Sequence, residues 1–358
     1  MAQSGETKSV SDWWRDAGTL PQIAVFVVIG AASWFMLKEL AVLLRPLLLA
    51  ILLCYVILPL HKRIHQGRSE IKTIAIMAGS VLAIGTILSI VVYGSVIQFN
   101  DELPRLTKKS DEWGSRLKAW SDDSLPPILN RSVNDAVRAE AKGAQQLSNA
   151  GKSLLTFVAD VMIEAAIVGL YVLFLLIEAR RLSKRVENGF SSEQSKRIAE
   201  TMQKINSSIA NYLKAKVRAS LILAVPATLI LITFGVKFAV IWGLLTFFCN
   251  FIPYVGTAIG CGAPLIFGFL DLPMGWEPFA VAILLICVHA ASASFVEPTM
   301  IGKAVGLSPL VILISLTFWG LCWGVVGMFL AVPLTVTLKI VLSNLEATKG
   351  IAQLLGDD

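Results

Sequence analysis

The stretch from Phe238 to Leu270, FAVIWGLLTFFCNFIPYVGTAIGCGAPLIFGFL, runs 33 residues without an Asp, Glu, Lys or Arg. As one straight helix it would measure about 50 Å, against a bilayer hydrocarbon layer of about 30 Å. It must be interrupted. The break is written at Asn250-Phe251-Ile252-Pro253-Tyr254-Val255-Gly256, where Pro253 removes a helix donor and Gly256 opens a small-residue pattern with Gly260 and Gly262. Each half, about 14 residues or about 21 Å, is short for a crossing, so the spacing predicts a hairpin that enters and leaves on one side.

The run 309–338 repeats this logic, with Gly320, Gly324 and Gly327 in its middle and Pro333 further along. Shorter apolar runs occupy 22–37, 46–60, 73–98, 219–236 and 279–296, and 153–177 is apolar apart from two acids. Across the 358 residues, 55% are hydrophobic and 16% charged, where a soluble domain carries about 25% charged. The composition excludes a soluble globular protein. It predicts an all-α, polytopic integral membrane protein of about six to eight transmembrane helices, with interrupted or re-entrant segments in the C-terminal half. The first apolar run begins only at Gln22 and a second follows at once, which argues against a cleaved signal peptide.

Charge placement sets the expected topology. The loop 61–72 carries Lys62, Arg63, Arg68 and Lys72 against Glu70, and 178–218 carries ten basic residues against four acidic ones, so both read as cytoplasmic. Residues 99–152, with nine basic and eight acidic side chains, read as extracytoplasmic. The net charge of +6 therefore marks topology, and no basic stripe with interleaved aromatics points to nucleic acid. The expected division is 1–98, a cytoplasmic tail and three spans; 99–152, an amphipathic insertion; 153–178, a fourth span; 179–218, a cytoplasmic amphipathic basic segment; 219–343, a membrane domain with broken helices; and 344–358, a cytoplasmic tail. The chain is expected in the cell inner (plasma) membrane with both termini in the cytoplasm. Within the insertion, Trp113, Leu117 and Trp120 fall at helical spacing, and Pro104, Pro126 and Pro127 punctuate it, which predicts short amphipathic helices. Ile198, Met202, Ile205 and Ile209 form a helical stripe in the basic segment, fitting a helix packed on the membrane domain or a gating helix.

Irregular backbone at membrane depth is tolerated where it is buried in protein or lines a polar cavity, so the breaks are candidate pathway sites; simple kinks between packed helices are the alternative. Asp160 and Glu164 share one helix face, either as coupling carboxylates or as an interfacial pair in water. His289 sits inside 279–296, as a proton relay or as a packed histidine bonded to Ser292 or Ser294. Glu297-Pro298 closes that run, with Gly302 following, and Glu297 either faces a cavity or pairs with Lys303. Gly151-Lys152-Ser153 echoes a phosphate loop, but its required first glycine is Gln146. Five cysteines lie in apolar runs without paired spacing, and no nucleophile constellation stands out, so neither an enzyme, a cofactor nor a metal is expected.

The order of motifs carries a resemblance. Asn211-Tyr212-Leu213 opens a span; NFIPYVG (250–256) follows with Gly260 and Pro264; then come EPTMIG (297–302), GLSPL (306–310) and FLAVPL (329–334). In this order the chain resembles the autoinducer-2 exporter family of permeases, most strongly from about 205 to 340. The resemblance implies an all-helical permease with an extracytoplasmic insertion after the third span, assembled as a homo-oligomer. It implies export of a small polar furanone-derived signal or, for some members, exchange of sodium or lithium for protons. Asn250, Pro253, Tyr254, Gly256, Glu297, Pro298, Gly302 and Pro309 match family positions, whereas Ser292, Ala293 and Ser294 stand where many members carry an Asn. The expected function is a secondary transporter exporting a small polar solute in the lipid bilayer, with the breaks near Pro253 and Gly324 lining the path and Glu164 or Glu297 coupling protons or cations. A cation/proton antiporter using Asp160 and Glu164 is the second reading, and a non-transporting scaffold the third.

Overall fold

The computed structural model describes residues 19–64, 70–124, 163–178, 188–189, 191–273, 275–300 and 306–356. Their regular structure is helical, without a strand among the described residues. In order, the helices are α1 (Thr19–Glu39), α2 (Ala41–Ile64), α3 (Glu70–Ser124), α4 (163–178), α5 (Ser192–Thr233), α6 (Ala239–Cys249), α7 (Val255–Asp271), α8 (Glu277–Ala291), α9 (Glu297–Met300), α10 (Pro309–Ser343) and α11 (Lys349–Leu354). A π-turn, Ser292–Val296, joins α8 to α9. By length and composition, Ser192–Thr233 and Glu277–Met300 could each cross a membrane, and Pro309–Ser343 is as apolar but breaks at Gly324. Many large apolar side chains, Ile266, Phe295 and Leu321 among them, stand exposed on this chain, as expected where lipid is the solvent. The all-α polytopic membrane class holds.

The two long apolar runs do fold back on themselves. In the first hairpin, α6 and α7 lie side by side, and Thr246 Oγ1 donates to the carbonyl of Gly260 at 2.9 Å. The turn leaves no room for a side chain at Gly256, where an added Cβ would stand 1.7 Å from the carbonyl oxygen of Cys249. In the second hairpin the helical ladder of α10 breaks at Gly324, with φ 66° and ψ −143°, a backbone that needs glycine. Gly327 then faces the first arm, its absent Cβ 1.9 Å from the carbonyl of Trp319. Ser315 Oγ donates to the carbonyl of Ala331 at 3.2 Å and also meets Thr335. The two hairpins are built alike: a glycine just past each turn admits a carbonyl of the first arm, and a first-arm hydroxyl bonds a second-arm carbonyl.

Three boundaries differ from the sequence reading. The basic segment ending at 218 and the span beginning at 219 are one continuous helix, α5, started by a capping box in which Ser191 and Gln194 cap each other. Of its expected stripe, Ile209 is buried and Ile205 packs on the main core, while Met202 is exposed; the stripe is therefore part of a packed span, not a separate helix. The insertion begins as a direct continuation of α3, one helix of 55 residues through Pro104, in place of short helices. A proline interrupts only one backbone bond and bends a helix without ending it when the flanking residues favour helix. The side chains of Trp113, Leu117 and Trp120, and residues Pro126 and Pro127, lie outside the described part. The runs 22–37 and 46–60, read as two spans, form α1 and α2 bent by 70° across a break at Leu40, the shape of a broken span or a re-entrant segment.

The core binds these interrupted segments together. Ala41 and Leu52 of α2, Ile209, Tyr212 and Leu213 of α5, Phe251 of the first turn, and Trp323, Leu330 and Val332 of α10 form one buried apolar cluster. A second cluster, with Ala227 and Leu231 of α5, Phe267 of α7, and Val281 and Leu285 of α8, packs the opposite end. Helix α4 joins separately, through Val168 and Val172 against Ala50.

Candidate functional site

The first turn is shaped by its own sequence. Pro253 cannot extend α6, and Tyr254 takes φ 63°, a left-handed conformation that costs a non-glycine residue of order 1–3 kcal/mol. Such strain persists only where the surroundings hold it. Here Asn250 is buried and its Nδ2 donates 3.0 Å to the buried hydroxyl of Ser220 on α5, anchoring the turn from one side. From the other, Phe251 stacks on Phe329 of the second hairpin, with centroids 4.7 Å apart and planes at 23°. Ile252 packs with Leu316 and Ala331 of the same hairpin. The tip of one hairpin thus sits against the arms of the other.

The second hairpin's tip reaches the break between α1 and α2. A helix broken at Leu40 frees carbonyls of the preceding turn, and the carbonyl of Leu37 accepts the indole Nε1–H of Trp323 at 2.9 Å. Trp34 meets Phe318 edge-on at 5.6 Å. All three chain breaks, at Leu40, Asn250–Tyr254 and Gly324, therefore converge on one region.

Buried polar groups also lie on α8 and α5. His289 Nδ1 lies 2.9 Å from the carbonyl of Leu285, so Nδ1 carries the proton and donates, which leaves Nε2 as a bare acceptor. Nε2 is buried without a partner, and so is the hydroxyl of Ser292 one turn on, at the first residue of the π-turn. The serine bonds foreseen for His289 are not formed: its one protein bond goes to backbone. Glu297, read as facing a cavity or pairing with Lys303, meets Lys216 Nζ of α5 with its Oε1 at 2.7 Å, while Lys303 lies outside the described residues. The lysine side chain is 3% exposed and Glu297 31%, so the pair bridges interior and surface. Lys216 is buried because it falls on the same face of α5 as Ile209, Tyr212, Leu213 and Ser220.

Of the residues singled out in the sequence, Asn250, Pro253, Gly256 and Gly324 belong to the two turns, and His289 and Glu297 line the α8–α9 side. Tyr254 and Pro298 are exposed. Glu164 is half-buried on α4, whose contacts run to α2. Asp160, Gly302 and Lys303 lie outside the described residues. Sequence reasoning missed Lys216, Ser220, Phe251, Trp323 and Phe329; Lys216 was counted only as a topology charge, although its four-residue spacing to Ser220 was visible. Among the described residues, no group of three or more His, Cys, Asp or Glu is placed to hold a metal.

Two further features surround this region. An open cleft of about 220 Å³ is lined by Asn211, Lys214, Ala215, Arg218 and Met300, on the turn of α5 that also carries Lys216. At the far end of α5, the extension of α3 grips both stems of the first hairpin. Lys109 Nζ donates to the carbonyls of Asp271 at 2.7 Å and Leu272 at 3.1 Å. Asp271, nearly buried, accepts the backbone N–H of Lys237 at 2.8 Å and faces Arg105 Nη1 at 3.5 Å. Glu102 bonds Lys237 and Arg105, and these two donors hold its carboxyl below the usual carboxylate range.

The profile of the family described as AI-2E family transporter matches residues 23–347. The chain is 28% identical over 348 residues to the AI-2 transport protein TqsA of Escherichia coli (strain K12), covering 95% of this chain and 97% of that protein. It is 28% identical over 346 residues to a protein of Haemophilus influenzae, covering 95% and 96%. The protein PerM of Escherichia coli (strain K12) is 23% identical over 341 residues, covering 92% and 95%.

Proposed function

The chain belongs to the AI-2E transporter family, and from that membership we propose that this membrane transporter exports a small polar solute past the turns of its two hairpins. TqsA, by its name a transporter of AI-2, makes autoinducer-2 the first solute to test. The observations that support the reading are the packing of the three chain breaks into one cluster and, on α8 and the π-turn, buried polar atoms without protein partners, His289 Nε2 and Ser292 Oγ. Such atoms cost free energy when left unpaired in the apolar interior, so they suit a site that a polar molecule occupies in passing.

In this reading Asn250, Pro253, Tyr254, Gly256 and Gly324 shape the path, and His289 and Ser292 offer hydrogen bonds to the solute. Glu297, next to Pro298, exchanges Lys216 for a proton or monovalent cation, and Gly302 of the same motif is a further candidate. Asp160 and Glu164 are the remaining coupling carboxylates. The protein resides in the plasma membrane with cytoplasmic termini, as a homo-oligomer. Export is tested with purified protein in liposomes loaded with autoinducer-2. Time-dependent release that is reduced in Glu297→Gln, with the variant still folded, supports the reading; equal flux from protein-free liposomes overturns it.

A further inference from the structure

Helix α5 keeps its charges on one side of a boundary. No Asp or Glu occurs between Glu200 and Asp271, while Lys204, Lys214, Lys216 and Arg218 all precede the apolar run 219–236. The bond from Lys216 Nζ to Glu297 Oε1 at 2.7 Å sets that boundary level with the end of a second span, because the apolar run 279–296 stops at the residue before Glu297. Two helical segments that pack on each other thus change from apolar to charged at one level, which marks the edge of the hydrocarbon layer. The cleft of about 220 Å³ lined by Asn211, Lys214, Ala215, Arg218 and Met300 lies at this level.

The cations of the cleft have no acid of their own. Glu297 is taken by Lys216, and among the described residues neither Lys214 nor Arg218 forms an ion pair. Both are exposed, on the face of α5 turned away from the core. At 3.6 residues per turn, Asn211, Lys214, Arg218, Leu221, Ile222 and Val225 share about 100° of arc, with Lys216 nearly opposite. The last three are 45–51% exposed, and the exposed Leu229 and Ile232 continue the stripe along the apolar run. A cationic cleft at the hydrocarbon edge, prolonged by an exposed apolar stripe, matches the two-part chemistry of a phospholipid, an anionic headgroup joined to acyl chains. The cleft is smaller than the about 300–1,000 Å³ of pockets that enclose whole drug-sized ligands, so it suits a headgroup.

We propose that this cleft is a binding site for an anionic phospholipid, with Lys214 and Arg218 clasping its phosphate, Asn211 adding an amide donor, and an acyl chain lying along Leu221, Ile222 and Val225. The guanidinium of Arg218 offers a fork of donors to two phosphate oxygens, and the ammonium of Lys214 a point charge. A lipid held here sits on the turn of α5 that carries the Lys216–Glu297 pair. The site does not depend on what the protein transports.

The full chain in phosphatidylcholine nanodiscs provides the test, with Tm followed as the fraction of phosphatidylglycerol is raised at constant ionic strength. The wild type is expected to gain Tm in a saturable way. Lys214→Gln/Arg218→Gln is expected to lose apparent affinity by about tenfold or more, while its Tm in pure phosphatidylcholine stays within about 2 °C of the wild type, since both positions are exposed. Lys196→Gln/Lys204→Gln removes the same charge from exposed positions nearer the start of α5 and should keep the response. Lys214→Arg/Arg218→Lys keeps both charges in the cleft and should also keep it. The proposal is overturned if phosphatidylglycerol brings no gain, if the cleft variant keeps the full gain, or if the control pair loses as much, the mark of a diffuse field. It is also overturned if the cleft variant is already destabilised without phosphatidylglycerol, or if inorganic phosphate in pure phosphatidylcholine gives the same gain, which would identify a site for a soluble anion. Release of autoinducer-2 from liposomes is a separate measurement, so the transport reading stands or falls apart from this one.

Discussion

Lys216 Nζ and Glu297 Oε1, 81 residues apart in the chain, meet at 2.7 Å and tie the middle of α5 to the end of the α8–α9 span. Removing one partner of a buried pair strands the other, a cost of about 3–5 kcal/mol in a closed interior. Glu297→Gln strands Lys216, only 3% exposed, and is expected to destabilise by about 3 kcal/mol, whereas Lys216→Met strands Glu297, 31% exposed, which water can reach. Lys216→Met should be milder, and the double variant should recover most of the single Glu297 loss. A double-mutant cycle on unfolding midpoints checks this; strict additivity would mean the two residues do not interact.

The turn glycines supply a sharper test. Gly256 and Gly327 each admit a backbone carbonyl closer than 2 Å to where a Cβ would stand. Backbone cannot step aside as a flexible side chain would, so Gly256→Ala or Gly327→Ala should cost about 2 kcal/mol or more, or leave the hairpin unpacked. Gly262 is helical with open space around it. Gly262→Ala should be neutral or stabilising by up to about 1 kcal/mol. Melting temperatures of the three variants in one detergent distinguish local crowding from a general intolerance of alanine in α7.

The hairpins were legible because length and breakers act locally: 33 apolar residues cannot cross as one helix, and Pro253, Gly256 and Gly324 mark the places where hydrogen bonding fails. Partners were not legible in the same way. Lys216 reads as one more basic residue of a cytoplasmic loop until α5 is seen to continue through it, and nothing local ties it to Glu297. Packing of α9 on α5 brings the two together. Likewise Trp323 carries no sign that its indole will answer a carbonyl freed at Leu37, since that need arises only from a break in another segment.

That indole bond makes a separate prediction. Trp323 is 2% exposed, so Trp323→Phe leaves the Leu37 carbonyl without its donor while keeping most of the apolar contact. The expected loss is about 1 kcal/mol, for a part-buried acceptor left without its donor. Amide exchange should rise around residues 37–44 rather than throughout α10. A uniform rise would indicate that the ring acts through packing alone.

Acid should loosen the base of the first hairpin. The bonds from Lys237 and Arg105 hold the Glu102 carboxyl below its ordinary value, so its folded pKa is depressed relative to the unfolded chain, near 4.3. A depressed acid stabilises the native contact fully above the unfolded pKa, and that contribution vanishes as pH falls through the folded value. Between about pH 5 and 3, amide protection at 234–238 is therefore expected to weaken in the wild type. Glu102→Gln should already show the weakened state at pH 7 and lose that pH response. Asp271 is nearly buried and keeps its bond from the Lys237 backbone in both proteins. A variant that still loosens in parallel with the wild type would show that Glu102 does not carry the acid sensitivity.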